Sequence, residues 1–284
     1  MKTKSLLILI PSVLLSFSCK NTNAPETPKI PINIATSVTR VTDNTFDTND
    51  AVGLYVVNQP NTLAQSGNHA DNVKFTYNGT QWVAANQIYW LDAVTPADFY
   101  VYYPYSTSAS VTNHSFSVQQ DQSTEAGYKA SEFLYGNKKD VSPTSDPVLI
   151  TAKHLMSCIR IELKAGTGWT EAELADASVT ITGLNTSTSI NLTDGSTFGT
   201  SGTADIKPLS LGERVYKALV VPQVVTDKEL IKITIGDYDY ALKTSVTLSS
   251  GKQHKCTITV NRTSEGINIG IDPWEDGDEI SGTV

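Results

Sequence analysis

The sequence predicts an all-β protein: two antiparallel β-sandwich domains in tandem behind an export signal. Three observations predict it. Short strand-type runs recur along nearly the whole 284-residue chain, separated by Gly, Asn, Asp and Pro turn signals. Helix signals are confined to two brief stretches. A segment without periodicity, Gly136 to Pro147, splits the runs into two sets of comparable length.

The first residues set the compartment. Lys2 and Lys4 form a basic start, and Leu6 to Leu15 is apolar apart from Pro11 and Ser12. That run is about ten residues, half of the roughly 20 a helix needs to cross a bilayer, so it reads as a secretory signal. It closes in Leu15-Ser16-Phe17-Ser18-Cys19, which resembles a bacterial lipobox. Residues 1–18 are then a lipoprotein signal peptide. Cys19, acylated on its thiol, becomes the new N-terminus and tethers the chain to a membrane surface. Residues 19–29 are polar, and Pro25, Pro28 and Pro31 favour an extended spacer.

The strands follow in order. Ile30, Ile32, Ile34 and Val38 alternate with polar residues as in a half-buried strand, with Pro31 on the opposite parity, as an edge strand tolerates. Ala51 to Val57 is continuously apolar. Val73 to Val83 holds Asn78-Gly79, a two-residue hairpin signal. Ile88 to Trp90 and Asp98 to Tyr103 complete the first domain, residues 30–147. The second domain, residues 148–284, opens with Val148 to Ile150 and His154 to Leu163. It continues through Ser178 to Ile181, Ser189 to Leu192 and Val215 to Val221. Leu230 to Leu242 turns at Gly236-Asp237, and His254 to Val260 precedes Ile267 to Ile271. Thr170-Glu171-Ala172-Glu173 fits a helix-opening capping box, and Thr124 to Phe133 is a second helix candidate.

Composition and motifs narrow the function classes. Charged residues are 18% of the chain and the net charge is −8, or −10 once the two signal lysines are removed. An acidic chain without a basic patch argues against nucleic acid. Four histidines, no glycine-rich phosphate loop, no Gly-x-Ser-x-Gly elbow and no His-Glu-x-x-His helix give no sign of an enzyme or of a cofactor. Beyond Cys19 there are two cysteines, Cys158 and Cys256, each near a histidine (His154, His254) at a spacing that keeps the pair on one strand face. Cys158 has parity opposite to Ile159 and Ile161, whereas Cys256 shares parity with Ile258 and Val260. That arrangement favours two separate thiols over a zinc site or a single bridge. The tail carboxylates Glu275, Asp276, Asp278 and Glu279 could attract Ca²⁺ but read first as a solvated end. Trp90, Tyr100, Tyr102, Tyr103 and Tyr105 fit either cross-strand aromatic packing or a sugar-stacking face.

Several blocks, taken in order, resemble the fimbrillin-like lipoproteins of Bacteroidales. They are Asp50 to Tyr55, Tyr89-Trp90, Asp98 to Tyr105, Glu132 to Gly136, His154 to Ser157, Val221-Pro222-Gln223, Ser250 to His254 and Ile271 to Trp274. The resemblance spans about Thr39 to Trp274. It implies transthyretin-like sandwiches, an outer-membrane lipoprotein at the cell surface, and assembly into pili with other subunits by strand exchange. It also implies a trypsin-like protease that trims the N-terminal strand after a basic residue. Arg40, the one arginine in the loop Thr39 to Asp50, is the candidate cleavage point, or else an ordinary loop arginine. The run Ile267, Ile269, Ile271 repeats the period-two pattern of Ile30 to Ile34; it or the tail Glu275 to Val284 is a candidate donor strand, or else the run is the last strand of its own domain. Host or bacterial surface ligands are further candidate partners. The competing expectation is a non-polymerising lipoprotein that binds glycans through an aromatic sheet face. Two departures from the resemblance stand out: Cys158 where a basic residue is expected, and no acidic cluster after Cys19.

Overall fold

The computed structural model describes residues 29–38, 46–262 and, as a strand, 269–271. Among the described residues the regular structure is nearly all strand, arranged in three sheets. In chain order the first elements are β1 (Ile34–Val38), β2 (Ala51–Asn58), β3 (Ala70–Tyr77), β4 (Trp82–Ala84) and β5 (Ala97–Tyr103). Next come β6 (His114–Ser117), α1 (Glu125–Lys129), β7 (Leu134–Val141) and β8 (Val148–His154). The first sheet runs β1-β8-β7-β5-β2-β3-β4. It curls until its edges meet: Pro31 bridges Tyr89, the Ile32 N–H donates to the Ile88 carbonyl at 2.9 Å, and Trp82 Nε1 donates to Thr36 Oγ1 at 2.7 Å. The curl encloses an apolar cluster that includes Ile32, Ile34, Val52, Leu54, Phe75, Phe99, Val101 and Ile150. Alternation along the strands sends these side chains to one face.

The other face of the same sheet is also covered. Tyr55, Tyr100, Tyr102 and Tyr135 belong to a second, larger cluster that runs on through Val111, Val118 and Phe133 into the rest of the molecule. That remainder is formed by β9 (Ser157–Ala165), α2 (Glu171–Leu174), β10 (Ser178–Asn191), β11 (Ser196–Ile206) and β12 (Leu209–Ser210). With them are β13 (Val215–Val220), β14 (Gln223–Ile235), β15 (Tyr238–Leu248), β16 (Gln253–Val260) and β17 (Ile269–Ile271). Two sheets, β11-β10-β14-β15 and β12-β13-β9-β16-β17, supply apolar residues such as Ile159, Ile161, Ile181, Ile233 and Ile258 to one shared core. The all-β sandwich architecture expected from the sequence is present.

Several local expectations are met. Gly236-Asp237 closes a two-residue hairpin, with Ile235 opposite Tyr238. Thr170 and Glu173 form the reciprocal capping box, and Thr124 caps α1 by accepting from the Gly127 N–H. Three expectations need correction. Asn78-Gly79 does open a hairpin, but the loop is four residues, because Tyr77 pairs with Trp82 and Asn78 Oδ1 accepts from the N–H groups of Thr80 and Gln81. The side chain thus builds the turn that the backbone of a two-residue loop would otherwise make. The pairing is not wholly antiparallel: β1 runs parallel to β8, and β9 parallel to β16.

The third correction concerns the boundary placed near 147. β8 pairs with β7 and β1, so residues 148–154 belong to the first sheet. Residues 114–122 work in the opposite direction. β6 pairs with β10, the Lys207 N–H donates to the Gln120 carbonyl, and the Gln122 N–H donates to the Lys207 carbonyl. The sequence misled because the far end of β7 is polar and exposed (Asn137, Lys138, Lys139, Asp140), which reads as loop, although its backbone is in the ladder.

Candidate strand-exchange site

The site begins with β1. It lies at the rim of the first sheet, hydrogen-bonded along its length to β8, with Ile34 opposite Val148 and Val38 opposite Ala152. Period-two alternation places Ile32 and Ile34 inward, where they are 1% and 4% exposed, and Pro31 and Asn33 on the other parity. Thr36 continues the inward row and accepts from Trp82, which satisfies the buried indole N–H. The preceding residues are held from a second side. The Trp90 N–H donates to the Ile30 carbonyl at 2.9 Å, and Gln87 Nε2 donates to the Ile32 carbonyl at 3.2 Å. The segment from Ile30 to Val38 therefore fills a slot between β8 and residues 87–90. Taking it away would expose the backbone edge of β8 and the apolar cluster beneath two isoleucines.

The chain past β1 is anchored where it re-enters the described structure. The Phe46 ring lies 4.8 Å from that of Trp82 and 5.8 Å from that of Tyr103. Lys129 of α1 reaches across to Asp47 at 2.5 Å and Asp50 at 2.9 Å. Partial burial disfavours the Lys129 ammonium, but its hydrogen bonds to the two carboxylates outweigh that and hold its pKa above the ordinary lysine value. Burial, reinforced by Asp50, pushes Tyr103 up to about 12. Neither the Phe46 cluster nor the Lys129 clamp was anticipated. Their signal is slight: a lone aromatic in a polar stretch, and a lysine ending a short helix.

At the other end of the chain, Ile269–Ile271 forms β17, paired antiparallel to Ile258–Val260 of β16 at a sheet rim. In the single chain this candidate donor segment thus pairs within its own sheet. Just before it, the Arg262 guanidinium sits 4.9 Å over the Trp169 ring and 4.7 Å over Tyr238, whose hydroxyl it contacts at 2.7 Å. Cys19, Arg40 and Ile267 lie outside the described residues.

The remaining candidates resolve plainly. Cys158 aligns with Gln253 and Cys256 with Ile161, so the thiols lie on opposite faces of one sheet and form no bridge. Burial pushes the Cys256 thiol up to about 12. Among the described residues no group of histidine, cysteine and carboxylate side chains is arranged to hold a metal. The aromatic run is not an exposed face. Trp90 is buried against Phe99, and Tyr100, Tyr102 and Tyr103 are buried because β5 is central in its sheet and both of its faces are covered. Of the two readings of those residues, packing within the sheet layers is the one this strand shows.

Comparison with known proteins gives the family and the fold. A family model described as "Fimbrillin-like" matches residues 39–274. A Bacteroides uniformis protein named "Putative fimbrium subunit Fim1C" is 24% identical over 98% of this chain and 97% of its own length. Two solved structures, each titled a "putative cell adhesion protein", superpose closely. One, from Bacteroides ovatus, has a TM-score of 0.72 at 20% identity, covering 88% of this chain and 98% of the other. The second, from Bacteroides uniformis, has a TM-score of 0.70 at 21% identity, covering 89% and 99%. With most of its length matched by the family model, and with the sandwich fold of those structures, this chain belongs to the fimbrillin-like family.

Proposed function

We propose that the chain is a structural and adhesive subunit of a surface fimbrium. It is exported as a lipoprotein acylated at Cys19 and held at the outer membrane. A protease cleaves after Arg40, and polymerisation follows by strand donation into the vacated β1 slot. The observation that carries this reading is the character of β1. It is a short rim strand, its isoleucines occupy the core, and it leads directly into the stretch that holds Arg40. Cleavage there frees anchor and strand together, and the exposed β8 edge with its apolar row favours capture of another extended segment. Two further facts support the reading: the family match starts at residue 39, just past β1, and the matched relative carries a fimbrial name. The run Ile267, Ile269, Ile271 is the donor of choice, since its alternation can place isoleucines where Ile32 and Ile34 sat.

Filaments sheared from the parent cells and subjected to N-terminal sequencing test the processing step. Subunits should begin at Val41. A start at Cys19 would remove Arg40 from the account.

A further inference from the structure

We infer that the loop Gln59 to His69, which joins β2 to β3, is a binding cup for a neutral, polyhydroxylated ligand of the saccharide class. β2 and β3 are antiparallel neighbours, a connection that two to five residues ordinarily close. Here it takes eleven, and the excess is organised. Leu63 is buried in the larger core, and Gln65 is tied to the next crossover by donating to the Ala109 carbonyl at 2.9 Å and accepting from the Val111 N–H at 2.8 Å. The Asn68 side chain closes the turn onto Ala64, accepting from its N–H and donating to its carbonyl. Asp71 accepts from the N–H groups of Gly67 and Asn68. At the loop's start, Gln59 Nε2 donates to Asp98 at 2.7 Å. A compact loop with adjacent ends, fixed by its own side chains, is the form in which surface loops commonly carry binding function.

The fixed loop encloses a concavity of about 400 Å³, within the size range of small-ligand sites. Its chemistry selects the ligand class. The lining residues all lie between Val57 and His69, with no lysine, arginine or carboxylate among them; the Asn68 amide is committed to Ala64 and Asp71, so Asn61 and Thr62, both exposed, are left to meet a ligand. Asn58 Oδ1, at the back of the cup, is buried and accepts no hydrogen bond from the described residues. His69 Nε2 lies 2.6 Å from the Tyr89 carbonyl, which can only accept, so Nε2 is the donor. The Asn61 amide and the Thr62 hydroxyl supply donors and acceptors side by side, as vicinal hydroxyls require. A charge-free lining gives phosphate, carboxylate or metal ions nothing to pair with.

The cup opens where β2 ends, at the end of the sheet where β1 starts, away from the end that leads to Arg40. Because His69 is held by the Tyr89 carbonyl and Tyr89 bridges Pro31 beside β1, binding is measured on the unprocessed full chain, in which that wall is intact. Ligand-observed NMR and calorimetry with the methyl glycosides of mannose, galactose and N-acetylglucosamine, and with inorganic phosphate as the charged probe, test it. At least one glycoside should bind saturably and phosphate should not. Asn61→Ala and Thr62→Val, both at exposed positions, should each weaken that binding about tenfold with no change in unfolding midpoint. The inference is overturned if no glycoside gives a saturable signal, if binding survives within about twofold in both variants, or if phosphate binds in their place. None of these outcomes bears on strand exchange.

Discussion

At the scale of single residues, the core chooses neutral forms for groups that could ionise. Burial pushes Tyr55, Tyr103 and Cys256 each up to about 12, from ordinary values of 10.0, 10.0 and 9.0. Tyr102 and Tyr135 are raised further by the same cause. The sign follows from linkage. The unfolded chain releases these protons near its ordinary values while the folded chain retains them. Between about pH 9 and 12 the unfolded state thus binds fewer protons, and stability falls as pH rises. Urea unfolding midpoints should drop steadily from about pH 9 to 11, with tyrosinate absorbance from the buried rings appearing together with loss of the β-sheet circular dichroism. Ionisation of those buried rings while the sheet signal is intact would contradict the burial. The sequence already carried part of this picture: the parity of Cys158 against Ile159 and of Cys256 against Ile258 separated the thiols correctly. It could not decide whether Tyr100, Tyr102 and Tyr103 faced solvent. Alternation reveals two faces, and only the position of β5 in mid-sheet, between layers, shows that both are covered.

At the scale of elements, β1 is the informative strand. The isoleucine alternation from Ile30 to Ile34 was legible, as were the capping box at Thr170 and the hairpin at Gly236-Asp237. The parallel partner of β1 was not, because β8 lies more than a hundred residues away and periodicity says nothing about partners. Burial of Ile32 and Ile34 contributes about 1.5–3 kcal/mol apiece before ordering costs. Ile34→Asp should destabilise the unprocessed chain by about 3 kcal/mol or more, since it sets an unpaired carboxylate in the apolar cluster. Chemical denaturation measures this. A loss below about 1 kcal/mol would mean that β1 contributes little to the slot it fills. Ile34→Val, which keeps the strand pattern, should cost about 1 kcal/mol.

At the scale of the whole molecule, the two halves are interlocked rather than strung in line. β6 and residues 120–122 are knit into the second half, β8 into the first, and one apolar cluster runs from Tyr55 to Ile258. Gln122 is the clearest tie: fully buried, it donates to the Leu219 carbonyl at 2.7 Å and accepts from the Leu219 N–H at 2.9 Å. Gln122→Leu strands that buried N–H and carbonyl and should cost about 2–4 kcal/mol. The wild-type chain should melt in a single calorimetric transition, and two separated transitions would contradict the shared core. This interlock is what the sequence could not convey, because a polar β7 tip and a serine-rich crossover both read as loop. The central claim is that the slot of β1 accepts another extended segment once β1 has gone. The direct measurement is light scattering with size-exclusion chromatography on a chain starting at Val41. It should form a ladder of multimers, and adding a peptide spanning residues 29–38 should return it to monomer. A chain that stays monomeric and folded at high concentration, and binds no such peptide, would contradict the account.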